Sequence, residues 1–211
     1  MLTYLFDASA AVQVYAPSNL KAARAVHYIL AQKMDYKHAA LFIPNICIVE
    51  VFNALAKKRY KAREGALTPE QYLEYLARFR RHIHWGKYFY PYDVNRYHIL
   101  ASDMIIAVEQ RVPSLNERDH LSSFDILVIA MSCELGFVGA PETTYLVTCD
   151  RRMKRVFEEL KRTSTDRILE WTGSVGLDYP IKRWQPPCCL LLQDLARGEL
   201  KGAPSQAEFI P

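Results

Sequence analysis

Along this chain the spacing of hydrophobic positions switches repeatedly between short unbroken runs and stripes three and four residues apart. Residues 2–7, LTYLFD, read as a buried strand that stops at an acid, Asp7. SNLKAARAVHYILAQKM has helical spacing and begins at Ser18, a residue suited to capping. ALFIP is a second short strand. Asn45 is placed to cap the helix ICIVEVFNALAKKRYK, in which Ile48, Val51, Phe52 and Leu55 form one apolar stripe.

LTPEQYLEYLARFRRH carries a strong helix start: Thr68 as N-cap, Pro69 in the first helical position and Gln71 to close a capping box. KYFYPY is compatible with strand or loop. DVNRYHILASDMIIAVEQR reads as one helix ending before Pro113. SSFDILVIAMSCELG is apolar nearly all round, hence a central helix, closed by Gly136. TYLVTCD is a strand, and RRMKRVFEELKR is the helix after it. Strands alternating with helices predict an α/β fold, a parallel sheet covered on both faces. After Arg162 the pattern changes, with Gly173, Gly176, Pro180, Pro186 and Pro187 interrupting any long element until CCLLLQDLARGEL. The core is expected to end near residue 170. The division is a domain of residues 1–162 and a C-terminal extension, 163–211, with room for one short helix and open to packing on the core.

Composition narrows the class. Half of the 211 residues are hydrophobic, enough for one sizeable core. The apolar runs, such as Ile126–Met131, are far shorter than a membrane span, so no membrane partner is expected. The N-terminus lacks the basic start, long apolar run and cleavage site of a secretory signal, and the expected location is the cytoplasm. Five cysteines without a CxxC pair suit a reducing compartment, and three of them lie in apolar runs as small hydrophobes. His82 and His84 alternate in RHIHW without a third ligand at zinc-site spacing, so no structural zinc is expected. The net charge is +4, and the positive residues cluster in KKRYKAR, RFRRH and RRMKR. A polyanionic partner fits this clustering. KKRYKAR alone is better explained as a basic helix end facing its dipole.

Four acids change the picture. Asp7 and Asp150 end parallel strands and therefore share one edge of the sheet, the edge where α/β folds bind ligands. Helices begin on that edge too, and Glu50 and Asp125 lie in or near such first turns. Each acid alone has an ordinary explanation, as a turn former, a helix-start residue or an exposed side chain. Together, beside apolar runs, they would lose hydration at roughly several kcal/mol per ion unless compensated. Mg²⁺ or Mn²⁺ supplies that compensation. Ser9 and Thr148 can add hydroxyl contacts, and Asn53, one turn beyond Glu50, an amide.

LFDASA, IPNICIVEVFNAL, LSSFDILVIAMSCELG and YLVTCD resemble, in order and over roughly residues 1–160, the four sequence blocks of the PIN domain. The resemblance is greatest to the toxin ribonucleases of VapBC-type toxin–antitoxin pairs. It implies a PIN-like three-layer α/β/α fold with a central parallel sheet. It also implies that Asp7, Glu50, Asp125 and Asp150 are the catalytic metal ligands, with Ser9 and Thr148 as the family's hydroxyls. The activity implied is Mg²⁺- or Mn²⁺-dependent hydrolysis of RNA phosphodiester bonds. Implied partners are an RNA substrate and an antitoxin, and in that family the region of TPEQYLEYLARF serves as a dimer face or an antitoxin face. The chain departs from the family in its length, in the insertion KAREGALTPEQYLEYLARFRRHIHWGK, in the link GFVGAPETT and in residues 163–211.

Arg151, Arg152 and Lys154 follow Asp150 and are candidates for contacting RNA phosphates; a solvated helix face is the plain alternative. Tyr88, Phe89, Tyr90 and Tyr92 could stack on bases, but core packing suits most of them better. Asp103 and Asp119 read as surface residues. Two rivals stand beside the nuclease reading. One is a non-catalytic PIN-like module that binds RNA or protein. The other is a phosphohydrolase with an aspartyl nucleophile, which wants a second acid two residues on, where this chain has Ser9.

Overall fold

The computed structural model describes residues 1–36, 39–62, 65–86, 88–114, 120–175 and 184–195. Strand β1 (Leu2–Phe6) leads through Asp7 into the single-turn helix α1 (Ala8–Ala11), a 3₁₀ turn (Val12–Val14) and the long helix α2 (Leu20–Tyr36). Then come β2 (Ala39–Pro44), α3 (Asn45–Tyr60), α4 (Pro69–His84), β3 (Tyr90–Tyr92), α5 (Arg96–Leu100) and α6 (Ser102–Glu109). The rest is α7 (Ser123–Gly139), β4 (Thr144–Thr148), α8 (Arg151–Arg162), α9 (Thr165–Thr172), β5 (Cys188–Leu191) and α10 (Leu192–Leu195).

The five strands form one parallel sheet in the order β3-β2-β1-β4-β5, with Thr3 opposite Ala40 on one side and Thr144 on the other. The chain winds from β1 through β2 to β3 in one direction, then returns through β4 to β5. Right-handed crossovers place the helices of these two runs on opposite faces. Packing agrees: α3 rests on α1 and α4, whereas α7 rests on α5, α6 and α8. The architecture is three-layered, α/β/α, as the alternation of elements predicts. Between β1 and β4 the winding reverses, so the chain leaves these neighbours toward opposite faces. Such a reversal is where open α/β sheets have their ligand crevice, beyond the strand ends.

Leu5, Phe6, Leu41, Ile43, Leu146 and Val147 of the three central strands are wholly buried, as strands covered on both faces require. Phe6 meets Phe89 edge-on at 5.2 Å. Phe89 is therefore core, Tyr92 donates its hydroxyl to Glu134, Tyr88 packs edge-on against His82, and Tyr90 alone of the four is exposed. His82 is buried, with Nδ1 2.9 Å from the Tyr15 hydroxyl. All five cysteines are free. Among the described residues, no helix is long and apolar enough to cross a membrane.

Several elements differ from their sequence expectation, each for a physical reason. The sheet and core do not end near residue 170. β5 pairs with β4, Cys189 lying opposite Leu146, and Trp184, Leu190 and Leu192 are buried. Pro186 and Pro187, read as breakers, precede an edge strand, where a missing N–H is tolerated. Gly136 does not close α7, which continues to Gly139. A Cβ at Gly136 would stand 2.3 Å from the Gln185 carbonyl oxygen, so this glycine admits the crossing backbone. Gln185 N–H donates to the Cys133 carbonyl at that crossing.

The expected single helix over 93–111 breaks at Ala101 into α5 and α6. Ser102 donates its hydroxyl to the His98 carbonyl, a back-bond that competes with the helix ladder. Asn19, not Ser18, accepts the first amides of α2, while Ser18 is occupied by Gln13. Asn45 does not cap α3; its amide donates to Asp93 and accepts from Val94 N–H. By contrast, the capping box of Thr68 and Gln71 forms as expected.

One buried network ties α5 to α7. Glu134 accepts from the Tyr92 hydroxyl at 3.0 Å, Asn95 Nδ2 at 3.1 Å and His98 Nε2 at 2.6 Å. Asn95 N–H donates to His98 Nδ1, so the ring proton sits on Nε2 and a neutral imidazole faces an ionised glutamate. Burial holds His98 below its ordinary range, in keeping with that assignment.

The crossing at Gly136 gives a test. Alanine normally favours a helix interior over glycine by about 1 kcal/mol. Gly136→Ala is nevertheless expected to lower the stability of this protein by about 1–3 kcal/mol, because the methyl group overpacks against backbone. Urea unfolding checks this; a stability equal to or above wild type would contradict the close approach.

Candidate functional site

Asp7 sits where β1 enters the crevice, and it is only 4% exposed. Its position follows from local chemistry. As N-cap of α1, its carboxylate accepts the Ala10 N–H at 2.7 Å. The Ser9 hydroxyl lies 2.8 Å from both of its oxygens, and the buried Thr148 hydroxyl donates to it at 2.6 Å. Thr148 also accepts the Asp150 N–H at 2.8 Å, and Ser9 Oγ accepts the Cys149 N–H at 2.9 Å. Asp7, Ser9, Thr148 and Asp150 thus belong to one hydrogen-bond network spanning β1 and β4.

Asp150 is itself the N-cap of α8, accepting from the backbone of Arg152 at 2.6 Å and Met153 at 3.2 Å. Asp125 stands in the first turn of α7, where it forms a capping box with Ser122. Glu50 is half-buried in α3, and Asn53 is exposed on the following turn. The charge of Asp125 acts on both Asp7 and Glu50. Three acids from β1, α3 and α7 therefore share one field, and the fourth joins through Thr148.

The electrostatics are those of crowded acids. Burial, followed by the nearby charge of Asp125, pushes the Asp7 carboxyl up to about 7 despite the hydrogen bonds from Thr148, Ala10 and Ser9. Glu50 is pushed up by burial and by Asp125, against the Cys47 thiol and Lys57. The Cys47 and Cys149 thiols are also pushed up, first by burial and then by Asp7, Cys149 to about 12. Both stay protonated, so the donors offered at this edge are oxygens, the set preferred by hard divalent cations. Among the described residues, no three His, Cys, Asp or Glu side chains already stand at metal-binding geometry around one point.

The basic residues after Asp150 do not form the expected surface. Arg151 is exposed. Arg152 is 4% exposed and turned inward, with its guanidinium on Glu109 at 2.7 Å and on the carbonyls of Glu109, Val112 and Pro113. A side chain so enclosed cannot reach an RNA phosphate. Lys154 is paired with Asp194 of α10 at 2.5 Å and with Glu158 at 3.7 Å. Asp103 lies in the first turn of α6, and Asp119 is outside the described residues. The reading of the sequence missed Glu109, and no local pattern marks it, since its partner Arg152 lies 43 residues away.

In metal-free protein the raised Asp7 value makes stability pH-dependent. An acid raised in the fold is bound by more protons there than in the unfolded chain between about 4 and 7. Its contribution is present below the ordinary carboxyl range, erodes as pH rises, and is gone above about 7. Asp7→Asn in EDTA is therefore expected to melt above wild type at pH 8, with the gain vanishing near pH 4. Melting curves across that range check it; a gain independent of pH would contradict the burial of an ionisable Asp7.

No family model and no curated protein matches the sequence. Among solved structures, VapBC2 from Rickettsia felis, crystallised bound to a DNA fragment from their promoter, is similar at 13% identity and a TM-score of 0.46. The match covers 74% of this chain and 93% of that one.

Proposed function

We propose that this chain is a Mg²⁺- or Mn²⁺-dependent endoribonuclease of PIN type, acting in the cytoplasm as the toxin of a toxin–antitoxin pair. The observation that carries the reading is the meeting of Asp7, Glu50 and Asp125 in one field, with Asp150 hydrogen-bonded into the same network. Like charges from four separate elements, two of them raised by burial, call for a positive ion. The four sequence blocks that resemble the PIN domain support the reading independently, because each contributes one of these acids.

The donor set fits such an ion. Asp7, Glu50, Asp125 and Asp150 would hold it, and Ser9 and Thr148 would orient the Asp7 carboxylate. A divalent cation there supplies charge for the phosphodiester and the acidity that makes water a nucleophile at neutral pH. The chain's own part is then to bind and to exclude. Wholly buried Thr148 keeps solvent from the inner oxygen of Asp7. A carboxylate raised toward neutrality, as Asp7 and Glu50 are, is also suited to accept a proton during hydrolysis. Arg151 remains as the exposed cation beside Asp150 to meet an RNA phosphate.

A specific observation favours the second reading, a non-catalytic PIN-like module binding RNA or protein. Three donors already point at the four lone pairs of Asp7: Ala10 N–H on Oδ1, the Thr148 hydroxyl on Oδ2 and the Ser9 hydroxyl within reach of either. The single Ser9 proton serves both oxygens, so one of these contacts can be surrendered without an unpaired donor.

Cleavage of single-stranded RNA separates the two. Wild type with Mg²⁺ or Mn²⁺ is expected to cut, EDTA to abolish cutting, and Asp7→Asn or Asp125→Asn to reduce it by a factor on the order of 10² or more. Equal activity in all four conditions, or RNA bound but never cut, would defeat the nuclease reading.

A further inference from the structure

Arg152, denied to RNA by its burial, has another use. Its guanidinium donates to the Glu109 carboxylate from both Nε, at 3.3 Å, and Nη2, at 2.7 Å. The remaining donors go to the carbonyls of Glu109 at 3.0 Å, Val112 at 3.1 Å and Pro113 at 2.9 Å. Arg155 adds a bond to the same Pro113 carbonyl at 3.1 Å. The end of α6 and the chain leaving it are thus fastened to the first turn of α8. Glu109 extends the connection, since His120 Nδ1 lies 3.3 Å from its carboxylate, and the backbone at Leu121 helps to hold that carboxyl below its ordinary range. The next residue is Ser122, which forms the capping box with Asp125.

The same arginine reaches the site from its other end. Its backbone N–H donates to the Asp150 carboxylate at 2.6 Å. A chain of contacts therefore runs from Asp150 to Arg152, from Arg152 to Glu109 and from Glu109 to His120, two residues along the backbone from the Ser122 that forms the capping box with Asp125. The two acids lie on different helices, α7 and α8, and this chain spans the gap between their first turns. Both bonds from Arg152 to the Glu109 carboxylate converge on one oxygen, Oε1, and the opposite charges of the two partners strengthen them.

We infer that the Arg152–Glu109 pair is a positioning device, locking the first turn of α8, with Asp150, to the entry of α7, with Asp125. The inference rests on the metal-centre reading for its functional consequence, and on the hydrogen bonds alone for its structural one. Neither residue touches substrate. Each acts through the acid it holds, as outer partners of metal ligands do.

The test uses the full chain and two variants that conserve shape. Glu109→Gln weakens the clamp. Glu134→Gln disturbs the equally buried network on α7 that ties α5, remote from Asp125, and reports what general loosening does. Hydrogen exchange over residues 120–126 is followed by mass spectrometry, and Mn²⁺ binding by the paramagnetic resonance signal of the free ion. Glu109→Gln is expected to speed exchange over 120–126 and to weaken Mn²⁺ binding by roughly 10–100-fold. Glu134→Gln is expected to do neither. Unchanged exchange in Glu109→Gln overturns the inference, as does an equal response in Glu134→Gln. Faster exchange with unaltered Mn²⁺ affinity, in a protein whose wild type binds Mn²⁺, also overturns it. A wild type that binds no Mn²⁺ and cuts no RNA defeats the nuclease reading instead, and the exchange comparison still decides the clamp.

Discussion

A carboxylate buried at the end of the central strand is the constraint to which the rest of this structure answers. Asp7 loses nearly all its hydration, and burial alone would keep it neutral. Three donors, from Ala10, Ser9 and Thr148, are brought in to meet it, and they come from both sides of the β1–β4 junction. That junction is where the sheet reverses its winding, the point at which open α/β sheets hold their ligands. The sheet order and the polar cluster are therefore two consequences of one topology.

Glu50 lies in the second turn of α3, but Asp7, Asp125 and Asp150 were legible in the sequence as the end of a strand or the start of a helix. Such positions are set by interactions within a few residues. Asp150 and Asp125 are caps whose partners lie two or three residues away. Thr68 with Gln71 is a capping box of the same kind, and it formed where expected. Strand-ending Asp7 followed from an apolar run that stops abruptly. Knowing only that parallel strands share an edge was then enough to bring distant acids together.

What escaped the sequence depends on contacts between distant segments. Gly136 looked like a helix terminator, yet its lack of a side chain serves a backbone arriving from residue 185. β5 was hidden by prolines and by having its partner, β4, some forty residues earlier. Arg152 sits in the run RRMKR, and nothing local distinguishes it from Arg151, although one is buried and the other exposed. A helix beginning at a sheet edge presents successive side chains to opposite surroundings. Charge counting along the sequence cannot see that division. The same limit applies to Lys154, whose partner Asp194 belongs to the C-terminal extension, forty residues further along the chain.

The action of the Asp125 charge on both Asp7 and Glu50 is the central physical claim, and a bound cation is the consequence proposed for it. The most direct measurement is a crystal soaked in Mn²⁺, with diffraction recorded to give the anomalous signal of manganese. A peak in the crevice between β1 and β4, about 2.0–2.4 Å from oxygens of at least two of the four acids, is the expected result. Crystals with these carboxylates ordered and no manganese among them would contradict the claim.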